Sequence, residues 1–402
     1  MSGPTIGLIG VAVAALGAGL MNLRRVRGSN EWHATVTPLA SIIGSGFLVS
    51  GPLLAREFGI YAAPAMALLL LLAYAVGAVM RFNIANAEPY IAQASTHDPV
   101  AWFARVAQGV LAVAYAVSVA YYLKLLAAFA LREVTPDPLY ANLLVSAIIG
   151  ALVLLAWRGD IMRVEQVAEK SVGLKLGVIA GLIAALALYW ITRDGPAAPV
   201  VTPPIKLASV PLLLGLLIVV QGFETSRYLG ASYDAPTRIR TMRAAQLIAS
   251  GIYVGFLVLL TPVLGRAAAS TGVAGILDVM QGIGALLGVL VLIAAAASQL
   301  SAAVADSLGS AGLTLELSGA RLSLKSAYML TGALALGVVW LTDPFEVIAV
   351  ASRAFGLFYA LQCVLAVWIG RKTRVSSLPA AALQGVLACL CLAAAASGAS
   401  AE

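Results

Sequence analysis

Apolar residues fall in runs of about twenty, parted by short stretches that collect most of the Arg, Lys, Pro and Asp of the chain. At a rise of about 1.5 Å per residue, roughly twenty residues in a helix cross the ~30 Å hydrocarbon layer of a bilayer. The pattern predicts a leading span over residues 4–23 and eleven more, called spans 1 to 11: 34–55, 60–81, 101–131, 139–157, 165–192, 208–230, 242–265, 281–308, 326–341, 344–370 and 378–397. The segment 267–280, between spans 7 and 8, is expected to hold a short surface helix. Arg24, Arg25 and Arg27 follow the leading run rather than precede it. A cleaved signal peptide would have the opposite order, so a retained helix with its N-terminus outside is expected.

Span 1 carries an interruption where a membrane helix should be most regular: Ile42, Ile43, Gly44, Ser45, Gly46 and Phe47. Glycine tolerates unwinding, and unwound backbone at membrane depth is allowed only where it lines a cavity or is buried in protein. The chain has 38 glycines, and Gly17 with Gly19 and Gly282 with Gly284 have the same spacing, so the triplet alone also fits incidental glycine. Glycines two apart do not share a helix face, however, which is a poor fit to small-residue packing.

The basic residues sharpen the picture. One set of alternate loops holds Arg24, Arg25, Arg27, Arg81, Arg158, Arg163, Lys170, Arg238, Arg240, Arg243, Arg321, Lys325, Arg371, Lys372 and Arg374. The other holds Arg56, Arg132, Arg193, Lys206 and Arg266. Fifteen against five is the asymmetry of cytoplasmic and external loops, and it predicts twelve spans with both termini outside. Without the leading span and span 11, ten spans remain in two sets of five with opposite topology. The first helix of the second set should then carry its own break, and Val220, Gln221, Gly222, Phe223 and Glu224 interrupt span 6 near its middle.

Composition agrees with a membrane protein: 61% hydrophobic, 11% charged, mean hydropathy +0.97. The net charge of +7 is loop charge on one face, not a nucleic-acid footprint. Cys363, Cys389 and Cys391 lie in apolar runs without metal or disulfide spacing, and two histidines make no metal motif. Nothing in the chain calls for a metal or a cofactor.

Ile43, Gly44, Ser45, Gly46 and Phe47, followed by Gly51 and Pro52, resemble the helix 1 signature of amino acid–polyamine–organocation (APC) transporters. Gly222, Phe223 and Glu224, followed by Asp234, Pro236 and Arg238, are similar to the helix 6 motif and the loop after it. The departure is Asp234, Ala235 and Pro236 in place of an Asn-Pro pair. The stretch 158–188 is similar to the family's loop and fifth helix, and the resemblance covers about 32–374. It implies an all-α integral membrane fold of about twelve helices, a LeuT-type five-plus-five inverted repeat with broken helices 1 and 6. The parts would be residues 1–32 (leading helix and basic loop), 33–194 (first repeat), 195–374 (second repeat) and 375–402 (trailing helix).

Where span 1 resumes after Gly46, the first N–H groups lack intrahelical partners and favour a carboxylate. Carbonyls released around Ser41, Ile42 and Gln221 would favour an ammonium. Together they describe a clamp for a zwitterion, to which Gly44, Ser45, Gly46 and Gly222 would contribute backbone. Phe223 fits either a lid ring over the solute or ordinary packing. Lys175, mid-way along span 5, cannot easily snorkel to either interface, and charge is costly there, so it is placed to release a proton during transport or to cap carbonyls without titrating. The resemblance implies that it takes the place of a sodium ion beside the span 1 break, near Ser298 and Ser301 of span 8. Glu224 reads as a proton-linked acid or as the partner of Arg227. Tyr121 lies on span 3, which lines the site in this fold. Lys124, which follows Tyr121 and Tyr122 on span 3, and Arg353, mid-span on span 10, fit either an anionic solute group or pairing with Asp306, Glu346 or a loop acid. Asn83, Asn86 and Glu88 fit a gate network or a face in water.

The expected function is a secondary transporter of the inner membrane, moving an amino acid or related small zwitterion or amine by alternating access, with proton coupling. A sodium symporter or a substrate/product exchanger is the alternative within transport. A membrane-embedded enzyme would need intramembrane paired aspartates, a Ser–His couple or a His/Cys cluster, and the sequence offers none. A transport-inactive sensor would need a signalling domain, and no loop here is long enough to be one.

Overall fold

The computed structural model describes the chain apart from residues 24–27, 45, 96, 136, 160, 196–198, 208, 271, 320 and 400–402, and apart from the side chains of 161–171 and 231. Regular structure among the described residues is helical throughout. Helices α1 (Gly3–Met21), α2 (Asn30–Ile42), α3 (Gly46–Phe58) and α4 (Ala62–Phe82) lead into a π-turn at Asn83–Ala87 and the short α5 (Glu88–Gln93). Then come α6 (Pro99–Leu131), α7 (Pro138–Arg158), α8 (Ile161–Thr192) and the short α9 (Ser209–Leu214). After two 3-10 segments follow α10 (Ala235–Leu260), α11 (Leu264–Ala269), α12 (Ile276–Ile283), α13 (Ala285–Leu317), α14 (Leu324–Leu341), α15 (Glu346–Lys372) and α16 (Leu378–Ser397). Ten stretches of helix among the described residues are long and apolar enough to cross a membrane, so the chain is a multi-pass integral membrane protein.

The starts of the helices are written locally. Ser29, Asp98, Asp137, Asp234, Ser323 and Ser377 each accept a backbone N–H from the first turn that follows. Proline stands in that turn at Pro99, Pro138, Pro236 and Pro379, where its missing N–H costs nothing. Asp234 thus does the capping that an asparagine at this place would do. The ends are less legible. Helix α13 runs nine residues past the predicted end of its span and α10 starts seven before its own, because hydropathy falls at the membrane surface while the backbone ladder continues.

Two expectations need correction. Segment 267–280 holds the end of α11 and most of α12, but α12 is not a surface helix: Ile276, Leu277, Met280 and Ile283 are buried. Their spacing keeps them on one face, which packs inward, while Asp278 is held by Arg132. The second correction is the width of the interruption in span 6, described below.

Helices α6, α13 and α15 form the interior, with Tyr115, Tyr122, Phe355 and Tyr359 among the buried side chains. The leading helix is an integral part of the packing. It lies along α8 on a seam of small residues: a Cβ at Gly177 would sit 2.4 Å from Ala18 N, and one at Gly181 2.4 Å from Gly10 O. Helix α8 carries Lys175, so α1 braces the helix that holds this lysine.

Candidate functional site

The first break is short. Helix α2 reaches Ile42, Ile43 leaves helical geometry at φ −83° and ψ 62°, and α3 begins at Gly46. The second is long. After α9 the chain makes a 3-10 turn at Leu217–Val220, extends at Gln221 and passes Gly222 at φ +118°. It then runs on as 3-10 helix over Phe223–Ala231. The sequence located the second break at 220–224, but the loss of α-helix extends from Gly215 to Ala231.

The two breaks meet. A Cβ at Gly222 would lie 2.6 Å from Ile42 N and from Ser41 Oγ, and one at Gly46 would lie 2.8 Å from Val219 O. No larger residue fits either place without moving backbone, and the positive φ excludes a side chain at Gly222 a second time. Tyr253 of α10 ties the junction: its hydroxyl lies 2.6 Å from Val219 O and 3.1 Å from Ile42 O and shares its proton between these two released carbonyls. The Ile42 carbonyl, expected to be free for a solute, therefore already has a donor.

Around this junction, Gln221 Nε2 donates to the Tyr122 hydroxyl at 2.8 Å, while Gln221 Oε1 and Ser41 Oγ are buried without a partner. Gly44 faces the Tyr122 ring. Phe223 is fully buried and stacks on Tyr359 with centroids 5.1 Å apart. Glu224 does not pair with Arg227. Its Oε2 accepts the Gly222 N–H at 2.9 Å and the Tyr359 hydroxyl at 2.8 Å, so this carboxylate splints the break from within. Arg227 turns instead to Glu88 and donates to Gln362 Oε1 at 2.6 Å. Arg238 joins Glu88 at 2.7 Å, and Asn83 donates to the Gln362 carbonyl at 2.9 Å. Asn83 and Glu88 thus join one polar network with Arg227, Arg238 and Gln362, members the sequence did not assign, while Asn86 bonds back to Phe82 O.

Lys175 is completely buried and donates to Ala40 O at 2.6 Å, one turn before the first break. Ser301 Oγ bonds to Ser298 O, and Ser298 Oγ is buried without a partner. A cavity of about 220 Å³ opens beside these groups, lined by Thr37, Ala40 and Ser41 of α2, Thr225 and Leu229 of the second break, Ser301 and Ala305 of α13 and Val172 of α8. It lies on the α2 side of the first break, toward Asn30 and the basic loops. This volume sits below the roughly 300–1,000 Å³ of common ligand pockets and suits a small solute. A larger cavity of about 390 Å³ lies away from the breaks, at Arg105, Gln108, Arg227 and Glu316.

Lys124 and Arg353 do not reach the breaks. The Lys124 ammonium caps the Thr342 carbonyl at the end of α14, with Asp343 and Glu346 as its charged neighbours. Arg353 sits on the exposed face of α15 and donates to Gly398 O at 2.8 Å. Ser45 lies outside the described residues. Tyr121 is buried against Tyr122, with ring centroids 4.9 Å apart. The residues the sequence reading missed are Tyr253, Tyr359 and Ser118, hydroxyls buried at mid-span; their one signal was a polar tip inside an apolar run.

Long apolar helices around two touching mid-span breaks define a membrane transporter architecture. The fold is similar to that of a Na+-coupled sialic acid symporter solved in a substrate-bound, outward-open state: TM-score 0.54 over 97% of this chain and 94% of that one, at 14% identity. An uncharacterized protein of Aquifex aeolicus (strain VF5) is 38% identical over 346 residues, 84% of each chain. A family model described as APC superfamily transporter matches residues 24–398. The chain belongs to the APC superfamily of transporters, which are solute carriers and not enzymes.

Proposed function

We propose that this secondary transporter moves a small amino-acid-like zwitterion or amine by alternating access about the junction of the two breaks. The observation that carries the reading is the contact of Gly222 with the Ser41–Ile42 backbone, which brings the interruptions of spans 1 and 6 to one place. The solute would be held by Ser41, Gly44, Ser45, Gly46, Gln221 and Gly222, with Tyr121 and Phe223 closing over it. In this reading the chain crosses the inner membrane twelve times, as repeats 33–194 and 195–374 of opposite topology between a leading helix within 1–32 and a trailing helix within 375–402.

The coupling ion has two readings, each with its own support. The symporter of like fold is coupled to Na+, which favours sodium here. The buried Lys175 ammonium on Ala40 O supports a proton, because a titratable cation inside the membrane can release one and the family resemblance implies a lysine here in place of sodium. Glu224 serves the same reading, as a carboxyl inside the second break. Uptake of a labelled amino acid into proteoliposomes, driven in turn by a sodium gradient and by a pH gradient, separates the two. On the proton reading, Lys175→Ala abolishes pH-driven uptake; sodium-driven uptake that survives in the variant assigns the coupling to sodium. Absence of uptake of any amino acid or amine under either gradient overturns the transport proposal.

A further inference from the structure

Every mid-span cation among the described residues has a counterpart already: Lys175 has Ala40 O, Lys124 has Thr342 O, Arg227 has Glu88, and Arg353 has Gly398 O. Two mid-span acids do not. Glu224 is completely buried, and while its Oε2 is bonded, its Oε1 has no partner. Asp306, on α13, is 1% exposed; one of its oxygens accepts from Ser118 of α6, and the charged group facing it is Glu224, which repels it. Tyr115 interacts electrostatically with both carboxyls, and its hydroxyl is buried without any hydrogen-bond partner. Gln299 lies two turns from Asp306 on the same stripe of α13, completely buried, with neither amide atom bonded.

An acid pair with no cation is expensive in an apolar interior, and so is each orphaned hydroxyl or amide. A proton on either carboxyl, or a cation that enters, supplies the charge balance, but a proton leaves the Tyr115 hydroxyl and the Gln299 amide without partners, and a solute that brings its own polar groups satisfies them as well. The side chains around the pair say what kind of cation suits it. Tyr115 packs edge-on against Phe355 at 5.9 Å, Phe355 against Tyr359 at 6.1 Å, and Tyr359 stacks on Phe223. Carboxylates backed by a run of aromatic rings recognise an organic ammonium, which accepts both hydrogen bonds to oxygen and the negative faces of rings.

We propose that Asp306, with Glu224 and Tyr115, forms a subsite for a positively charged amine of the transported solute, and that Asp306 selects diamines or basic amino acids over neutral and acidic ones. The proposal rests on the transporter reading above and reverses the acidic solute that Lys124 and Arg353 suggested from sequence.

The test is binding to the purified full chain in nanodiscs, using putrescine, lysine, alanine, glutamate and sodium chloride alone as probes, for wild type, Asp306→Asn and Asp306→Glu. Wild type is expected to bind putrescine or lysine more tightly than alanine or glutamate. Asp306→Asn should lose roughly tenfold or more in affinity for the amines, by removal of one partner of a buried charge pair, with alanine unchanged. Asp306→Glu should retain the preference. If Asp306→Asn does not fold, Ser118→Ala carries the test: it keeps the carboxylate but frees it, and should weaken amine binding while sparing alanine. Equal amine affinity in wild type and a folded variant overturns the proposal, as does wild type that binds alanine but no amine, and both leave the transporter reading standing. A response to sodium alone that disappears in Asp306→Asn, without an amine response, assigns the subsite to an inorganic cation and overturns it too. Wild type that binds none of the organic probes removes this proposal and the transporter reading together.

Discussion

One α-helix ends at Ile42 and the next begins at Gly46, whereas from Gly215 to Ala231 the chain forms no α-helix at all. The two breaks touch, yet they are held open by different means. The first is set by packing. Gly46 lies against Val219 and Gly44 against the Tyr122 ring, so absence of a side chain is what lets the chain pass. The second is set by bonding: Glu224 reaches back to the Gly222 N–H, Tyr359 steadies that carboxylate, and Ser352 donates to Gly215 O at 2.7 Å. A break made by packing yields when a neighbour moves, and one made by side-chain bonds keeps its shape until those bonds are exchanged. The pair is therefore built asymmetrically, with the cavity of about 220 Å³ on the α2 side of the yielding break.

Substitutions at the junction test this contrast. The largest effect is expected for Gly222→Ala, which meets a positive φ and leaves its Cβ 2.6 Å from the Ser41–Ile42 backbone. Strain of about 1–3 kcal/mol from the dihedral alone, plus displacement of the first break, should abolish ligand binding and lower thermal stability. A variant with wild-type binding would show that the breaks do not depend on each other. Next comes Tyr253→Phe. It leaves Val219 O and Ile42 O without their shared donor, and a loss of about 1–3 kcal/mol is expected, read as a lowered unfolding midpoint. If the first break is the yielding one, transport should fall by more than binding, because the tether between the breaks is lost rather than the contacts with the solute. The smallest effect is expected for Arg353→Ala, within about 0.5 kcal/mol and with unchanged uptake, since this side chain is exposed and bonded only to Gly398 O. A loss of uptake here would bring Arg353 back into the site.

How far the chain could be read in advance follows from where each signal resides. The breaks were legible because glycine and its neighbours interrupt apolar runs at matched places in two halves; the helix starts are written locally in Asp, Ser and Pro caps, yet apolar runs alone put the start of α10 seven residues late. Lys175 was legible because a charge at mid-span has few explanations. Lys124 and Arg353 look like Lys175 in one dimension and differ only in which way the helix turns them. Asp306 was read as a possible partner for a cation; it faces Ser118 and Glu224 instead, a question of rotation about α13 that apolar periodicity in a helix buried on most sides does not encode.

By itself the sequence determined the class of protein, the places where helices begin, and the two points at which they fail, because all of these depend on residues within a turn or two of each other. Only the tertiary structure decided that Gly222 rests on Ser41 and Ile42, that Tyr253 joins the breaks, and that Glu224 answers to Tyr359 rather than Arg227. Those contacts join residues from 34 to 211 positions apart, and their energies depend on helix rotation and approach, which no local pattern specifies.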